Sequence, residues 1–157
     1  MKFFLDTASI DKINFWKKYD LVQGVTTNPT LLSKEGNDPT KVIKEICKIV
    51  DGDVSAQVTE SEAKNMIDQA NFLKTLGKNI VIKLPCNLEG IIAAKYLSKK
   101  KYKINITLGF DPAQISAFNN INITYFSFII GRVEDFGDSN IQNIPLLKEM
   151  IKKLNPK

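Results

Sequence analysis

Short apolar runs alternate with longer amphipathic stretches along this chain. Lys2-Phe3-Phe4-Leu5 predicts a first strand, and a helix is expected from about Ser9 to Tyr19. Ser9 suits its N-cap, although Lys12 stands where a capping box would place Glu. Leu21 to Val25 predicts a second strand, broken by Asn28-Pro29, and a helix follows from Asp38-Pro39 to Val50. Asp53 to Val58 is the third strand. Thr59 or Ser61 is expected to cap a helix running to about Leu76 and closed by Gly77. Ile80 to Leu84 reads as a buried strand, and Leu88, Ile91, Ile92 and Leu97 recur near helical period between Asn87 and Ser98. Ile104 to Leu108 is the fifth strand, Asp111-Pro112 opens a short helix, and the sixth strand lies within Ile121 to Ile130. A last helix, Ile141 to Leu154, carries Ile144, Leu147, Met150, Ile151 and Leu154 on one stripe.

Strands that alternate with helices imply parallel strands covered by helices, here about six βα units in one domain over residues 1–157. A doubly wound open sheet and a TIM-type (β/α) barrel both fit that pattern. No glycine-rich loop of the dinucleotide or P-loop type follows any strand, which disfavours the nucleotide-binding open sheet.

Composition narrows the chemistry. The chain is 43% hydrophobic and 25% charged, as globular domains are. It has no apolar run of membrane-spanning length and no signal-peptide pattern at its start, so a cytoplasmic protein that does not engage membranes is expected. Cys47 and Cys86 lie far apart without metal-type spacing and read as thiols. There is no histidine, which removes the commonest general base and metal ligand. The net charge is +5, almost all from lysine, with a cluster at Lys99-Lys100-Lys101 and Lys103. A solvated helix end explains that cluster better than a nucleic-acid partner does, since no aromatic residues are interleaved.

Lys83 ends the run Ile80-Val81-Ile82-Lys83-Leu84-Pro85. A lysine amine buried there loses basicity, and a neutral amine attacks carbonyls to give a Schiff base. A buried stem with its head in water is the other reading. The remaining strand ends bear on the choice. They carry Asp6, Thr26-Thr27-Asn28, Gln57, Asn105 with Thr107, and then Arg132. Polar groups at the C-terminal ends of successive parallel strands are what a barrel active site requires. Asp6 suits proton transfer at a substrate hydroxyl, Asn28 and Asn105 suit hydroxyl binding, and Gln57 and Thr107 suit positioning of a water. Each also has an ordinary role: Asp6 capping a loop, Asn28 in a turn before Pro29, Gln57 as a satisfied core amide, Thr107 as a strand residue.

These stretches resemble the transaldolase family, in particular the small subfamily that includes fructose-6-phosphate aldolase. The matching blocks are Phe-Leu-Asp-Thr-Ala ending at Ala8, Gly-Val-Thr-Thr-Asn-Pro-Thr-Leu-Leu from Gly24, and Val-Ser-Ala-Gln-Val from Val54. Val-Ile-Lys-Leu-Pro from Val81, Ile-Asn-Ile-Thr-Leu from Ile104, Pro-Ala-Gln from Pro112 and Gly-Arg-Val from Gly131 complete the set. The resemblance implies a (β/α)₈ barrel and Schiff-base chemistry with no metal or other cofactor. Lys83 would form the Schiff base with a ketose phosphate. Asp6 would move the proton at the hydroxyl whose loss breaks the C3–C4 bond. Thr26, Asn28, Asn105 and Arg132 would bind substrate, and Thr107 and Gln57 would serve the catalytic water. A transaldolase passes the dihydroxyacetone unit to an aldose phosphate, whereas the aldolase releases dihydroxyacetone.

Gln57 matches the aldolase, since transaldolases commonly carry glutamate there. Ile129, with Phe128 beside it, falls where transaldolases have Phe and the aldolase has Tyr, and fits neither. Arg132, the only arginine, suits planar bidentate pairing with a ligand, or an ion pair with Glu134 or Asp135. An eight-unit barrel usually needs roughly 200 residues or more. Six units leave out the loop after strand seven that holds substrate phosphate in the family, so weak or altered phosphate recognition is expected. They also leave the edges of strands one and six open to pairing. A homo-oligomer is therefore expected, with a second copy covering or completing the barrel. A six-strand closed barrel is the alternative, and a non-catalytic binding or assembly protein is the other class of function.

Overall fold

The computed structural model describes residues 2–110 and 112–129, together with positions 145 and 149. The predicted Ile141–Leu154 helix therefore lies almost wholly outside the described residues, as does Arg132. The strands are β1 (Phe4–Asp6), β2 (Gly24–Thr26), β3 (Asp53–Gln57), β4 (Ile80–Pro85), β5 (Ile104–Gly109) and β6 (Tyr125–Phe128). The helices are α1 (Ile10–Lys17), α2 (Pro29–Lys34), α3 (Pro39–Ile49), α4 (Ala63–Lys74), α5 (Leu88–Lys99) and α6 (Pro112–Ser116).

All neighbouring strands are parallel, and the sheet order follows the chain, β1-β2-β3-β4-β5-β6. A doubly wound sheet reverses order at a switch point, so this winding is that of a barrel. The sheet curls. The ring of Phe4 on β1 lies edge-on to that of Tyr125 on β6, with centroids 5.4 Å apart. The described residues thus form an incomplete TIM-type α/β barrel of six strands.

The outer face of the sheet makes the core. Val25, Val54, Ala56, Ile80, Ile82, Leu84, Ile104 and Ile106 are buried there with Ile13, Ile46, Met66, Ala70, Ala93, Ala94 and Leu97 of the helices. Each large aliphatic side chain so buried contributes roughly 1.5–3 kcal/mol. Val54 and Ala56, Ile80, Ile82 and Leu84, and Ile104 and Ile106 fall on alternate positions, which turns Ser55, Lys83, Asn105 and Thr107, together with Val81, to the opposite face.

Two local expectations are corrected. Asn28-Pro29 starts a helix instead of only breaking a strand. Asn28 Oδ1 accepts the Leu31 N–H over 2.9 Å, and Pro29 fills the first turn, where no N–H is required. Neither Thr59 nor Ser61 caps α4. The first helical N–H, that of Ala63, is accepted over 2.7 Å by Glu89 of α5. Thr59 is instead held by Gln69, whose Oε1 accepts its N–H over 2.8 Å and whose Nε2 donates to its hydroxyl over 2.9 Å. Ser9 occupies the N-cap position of α1 as expected, although its side chain makes no capping bond.

The lysine cluster is a helix end. Lys99 sits in the last turn of α5, Lys100 lies 4.7 Å over the Tyr96 ring, and Lys103 pairs with Asp53 at 2.7 Å. Asp53 also accepts from the Tyr125 hydroxyl over 2.7 Å. This trio, with Phe4 on the Tyr125 ring, fills the N-terminal end of the barrel interior. Gly24 makes room for it, since a Cβ there would fall 2.2 Å from the Phe4 ring. Cys47 and Cys86 are half-buried free thiols. No helix among the described residues is long and apolar enough to cross a membrane.

Candidate active site

Strand register brings the predicted residues onto one face. Asp6 pairs with Thr26 and Thr26 with Ser55. Gln57 pairs with Lys83, Lys83 with Asn105, and Pro85 with Thr107. Register partners share a face, and residues two apart in a strand share it too. Asp6, Thr26, Ser55, Gln57, Lys83, Asn105 and Thr107 therefore all lie on the inner face, and most lie toward the C-terminal ends of their strands. That is the catalytic end of barrels of this type.

Lys83 is buried, at 7% exposure, and its Nζ donates to the Thr27 carbonyl over 3.3 Å. It makes no ion pair among the described residues. Burial holds its amine below the ordinary lysine range, and the charge of Asp6 only partly restores it. Lys74 is also lowered by burial, but its amine donates to the carbonyls of Lys78 and Ile80, at the opposite end of β4. A depressed amine within the polar interior is thus specific to Lys83 among the lysines for which a shift is resolved.

The Lys83 side chain opens on a pocket of about 360 Å³. Asn28, Gln57 and Thr107 line it with Lys83, and Pro29, Thr30, Leu31, Leu108 and Ile129 complete its wall. Asp6 accepts from the Thr26 hydroxyl over 2.7 Å. Asn105 is buried, its Nδ2 donating to Ser55 Oγ over 3.2 Å and its Oδ1 accepting from Ser127 Oγ over 2.9 Å. Each end of that amide retains one further bonding capacity. Asn28 uses its carbonyl oxygen on α2 while lining the pocket.

The structure adds roles for Ser55, Ser127 and Thr27 that the sequence reading did not give. Ser55 and Ser127 orient Asn105, and Thr27 supplies the carbonyl on Lys83 while its hydroxyl donates to the Ser55 carbonyl over 2.9 Å. Ser55 and Ser127 carried a signal, as polar residues alternating with apolar ones within a strand. Thr27 carried none, because its contribution is a backbone carbonyl.

Comparison with known proteins shows the family. The sequence pattern described as transaldolase/fructose-6-phosphate aldolase matches residues 3–156. A probable transaldolase of Methanococcus maripaludis is 47% identical over 141 residues, 90% of this chain and 66% of the relative. One from Caldicellulosiruptor saccharolyticus is 43% identical over 151 residues, 96% of this chain and 68% of the relative. One from Streptococcus pyogenes is 45% identical over 151 residues, 96% of this chain and 71% of the relative. The chain thus spans about two thirds of the length of these curated relatives. With this likeness running from β1 to beyond β6, the chain belongs to the transaldolase/fructose-6-phosphate aldolase family.

Proposed function

We propose that this chain carries the Schiff-base centre of a transaldolase-type enzyme, which moves a dihydroxyacetone unit between sugar phosphates. The observation that supports this best is the Lys83 amine, buried, unpaired by any carboxylate among the described residues, and opening on a pocket lined by hydroxyl and amide groups. The amine adds to the ketose carbonyl and water leaves, giving an imine. Asp6 takes the proton from the C4 hydroxyl as the C3–C4 bond breaks, and the electron pair is held as an enamine on the lysine. Asn28, Thr26 and Asn105 hold the hydroxyls of the three-carbon unit, with Arg132 as a further substrate ligand. Thr107 and Gln57 position the water that carries protons. Cytoplasmic location and a homo-oligomer are part of the same proposal.

Borohydride reduction with fructose 6-phosphate or dihydroxyacetone tests it. A mass adduct at Lys83 that is lost in Lys83→Ala is expected, and an unmodified protein would sink the proposal. Gln57, in register with Lys83 and in the pocket wall, favours a second reading, aldolase-type release of dihydroxyacetone alongside glyceraldehyde 3-phosphate. Free dihydroxyacetone, measured against transfer to erythrose 4-phosphate, separates the two.

A further inference from the structure

Leu108 stands in the left-handed region, with φ at 61°. A side chain there clashes with the backbone, so the position ordinarily belongs to glycine or asparagine. The register shows why the chain turns at this point. Asn105 and Ile106 pair with Tyr125 and Phe126, but Gly109 pairs with Phe128, so Thr107 and Leu108 together oppose Ser127. This is a β-bulge, a form in which a left-handed residue is commonly glycine. The adjacent Gly109 cannot exchange places with Leu108, because a Cβ at Gly109 would fall 2.3 Å from the Phe126 ring.

Core burial does not account for the leucine either. Leu108 is 37% exposed, whereas Ile104, Asn105, Ile106 and Thr107 are buried. Strict alternation would send Leu108 to the helix layer with Ile104 and Ile106. The bulge instead puts it in the wall of the Lys83 pocket beside Thr107. A residue that is unfavourable in backbone conformation, and not repaid by burial, points to a function at the surface it lines.

We propose that Leu108 is a specificity-determining residue: the left-handed bulge in β5 turns its isobutyl group into the Lys83 pocket as an apolar wall against the carbon chain of the carbonyl substrate. Leu31 and Ile129 are further apolar lining residues of that pocket, which the polar Asn28, Gln57 and Thr107 also line. The inference rests on the reading of Lys83 as a carbonyl-reactive amine.

Reductive alkylation of the 157-residue chain reads the wall without requiring turnover. The chain is treated with cyanoborohydride and either propanal or glyceraldehyde, both of three carbons. The amine adds to the aldehyde, water leaves, and hydride from cyanoborohydride reduces the imine to a secondary amine. Peptide mass spectrometry gives the label at Lys83 and, as a control, at the exposed Lys95. Leu108→Asn keeps similar size and tolerates the left-handed conformation. The ratio of propanal to glyceraldehyde label at Lys83 is expected to fall about tenfold in it, with the Lys95 ratio unchanged. Leu108→Gly, conformationally freer still, is expected to lower the ratio as well and carries the comparison if Leu108→Asn does not fold. An unchanged ratio in the folded variants, or no label at Lys83, overturns the inference. A shifted ratio in a chain that transfers no dihydroxyacetone unit upholds Leu108 and sinks the transfer reaction.

Discussion

Thr26 donates its hydroxyl hydrogen to Asp6 Oδ1 over 2.7 Å, directly across the first two strands. The bond fixes the carboxylate on the inner face that also carries Lys83. If Asp6 moves the proton in carbon–carbon cleavage, Asp6→Asn lowers turnover about 10²–10⁴-fold, the usual range for losing a positioned acid–base group. The borohydride adduct at Lys83 survives, because imine formation precedes cleavage. Thr26→Val removes the orienting bond together with the Thr26 hydroxyl proposed to hold substrate, and lowers turnover at least about tenfold, since the bond to a charged group alone is worth about 1.5 kcal/mol. Steady-state kinetics with parallel adduct mass spectrometry checks both.

Lys83 should stabilise the fold less than an apolar side chain of its size. Burial lowers its folded-state pKa below the ordinary 10.5. Between the folded and unfolded values the unfolded chain binds more protons, so stability rises with pH across that window and is lowest below it. Lys83→Met removes this penalty. At pH 7 it is expected to add on the order of 1 kcal/mol, or about 2–4 °C in Tm, with the gap closing as pH approaches that of a free lysine. Thermal melts of both proteins from pH 7 to above 10.5 check this, and a less stable Lys83→Met at pH 7 contradicts it.

Asn105 holds two other inner-face residues. Asn105→Ala leaves the Ser55 and Ser127 hydroxyls without their amide partner in the barrel interior. The expected loss is about 1–3 kcal/mol, against about 1 kcal/mol for Ser127→Ala, which removes one bond only. Urea midpoints at constant slope give the comparison.

Much of the site could be read from sequence because a parallel strand buried on its outer face must place polar residues inward. Asp53, Ser55 and Gln57 alternate with Val54, Ala56 and Val58, and Asn105 and Thr107 alternate with Ile104 and Ile106. That alternation, with strand order following the chain, sufficed to place six candidate groups at one end. Local signals with two meanings were harder. Asn28-Pro29 is at once a strand breaker and a helix N-cap with its first residue, and only the bond to Leu31 decides. The cap on α4 comes from Glu89, 26 residues along, where no local rule reaches. The φ of Leu108 was hidden because a Leu-Gly pair suggests that the glycine, not the leucine, takes the unusual conformation.

The sheet ends at β1 and β6 among the described residues, and neither strand has a second neighbour there. Phe15 and Trp16 of α1 and Tyr19 just beyond it form an exposed aromatic cluster, with Phe15 and Trp16 centroids 5.2 Å apart. Unpaired edges and exposed aromatic surface both favour association. Under the homo-oligomer proposal, light scattering gives at least twice the chain mass of 17.7 kDa, and Trp16→Glu shifts the distribution toward monomer. A stable, monodisperse monomer of the unaltered chain rules the homo-oligomer out.

The Asp53 cluster sets an acid limit on the fold. Burial pushes the Asp53 carboxyl up, but the hydrogen bonds from Lys103 and Tyr125, aided by the charges of Lys103 and Lys2, hold it below the ordinary 3.8. Across the cluster, burial and then the bond to Asp53 push the Tyr125 phenol up to about 12. A carboxyl depressed in the folded state contributes stability that is full above its unfolded value and is lost as pH falls through its folded one. Stability should therefore drop as the pH is taken below 3.8, and Asp53→Asn should reduce the pH-dependence there while lowering stability at neutral pH. Tyr125→Phe keeps the ring on Phe4 and removes only the donor, so it is expected to cost about 1 kcal/mol at pH 7. Because these residues sit at the end of the barrel away from the Lys83 pocket, the borohydride adduct at Lys83 should form in Tyr125→Phe as in the unaltered chain. Urea titrations at pH 3 to 7, with adduct mass spectrometry on the same preparations, separate this stabilising role from a catalytic one, and an adduct lost from folded Tyr125→Phe would place Tyr125 in the chemistry.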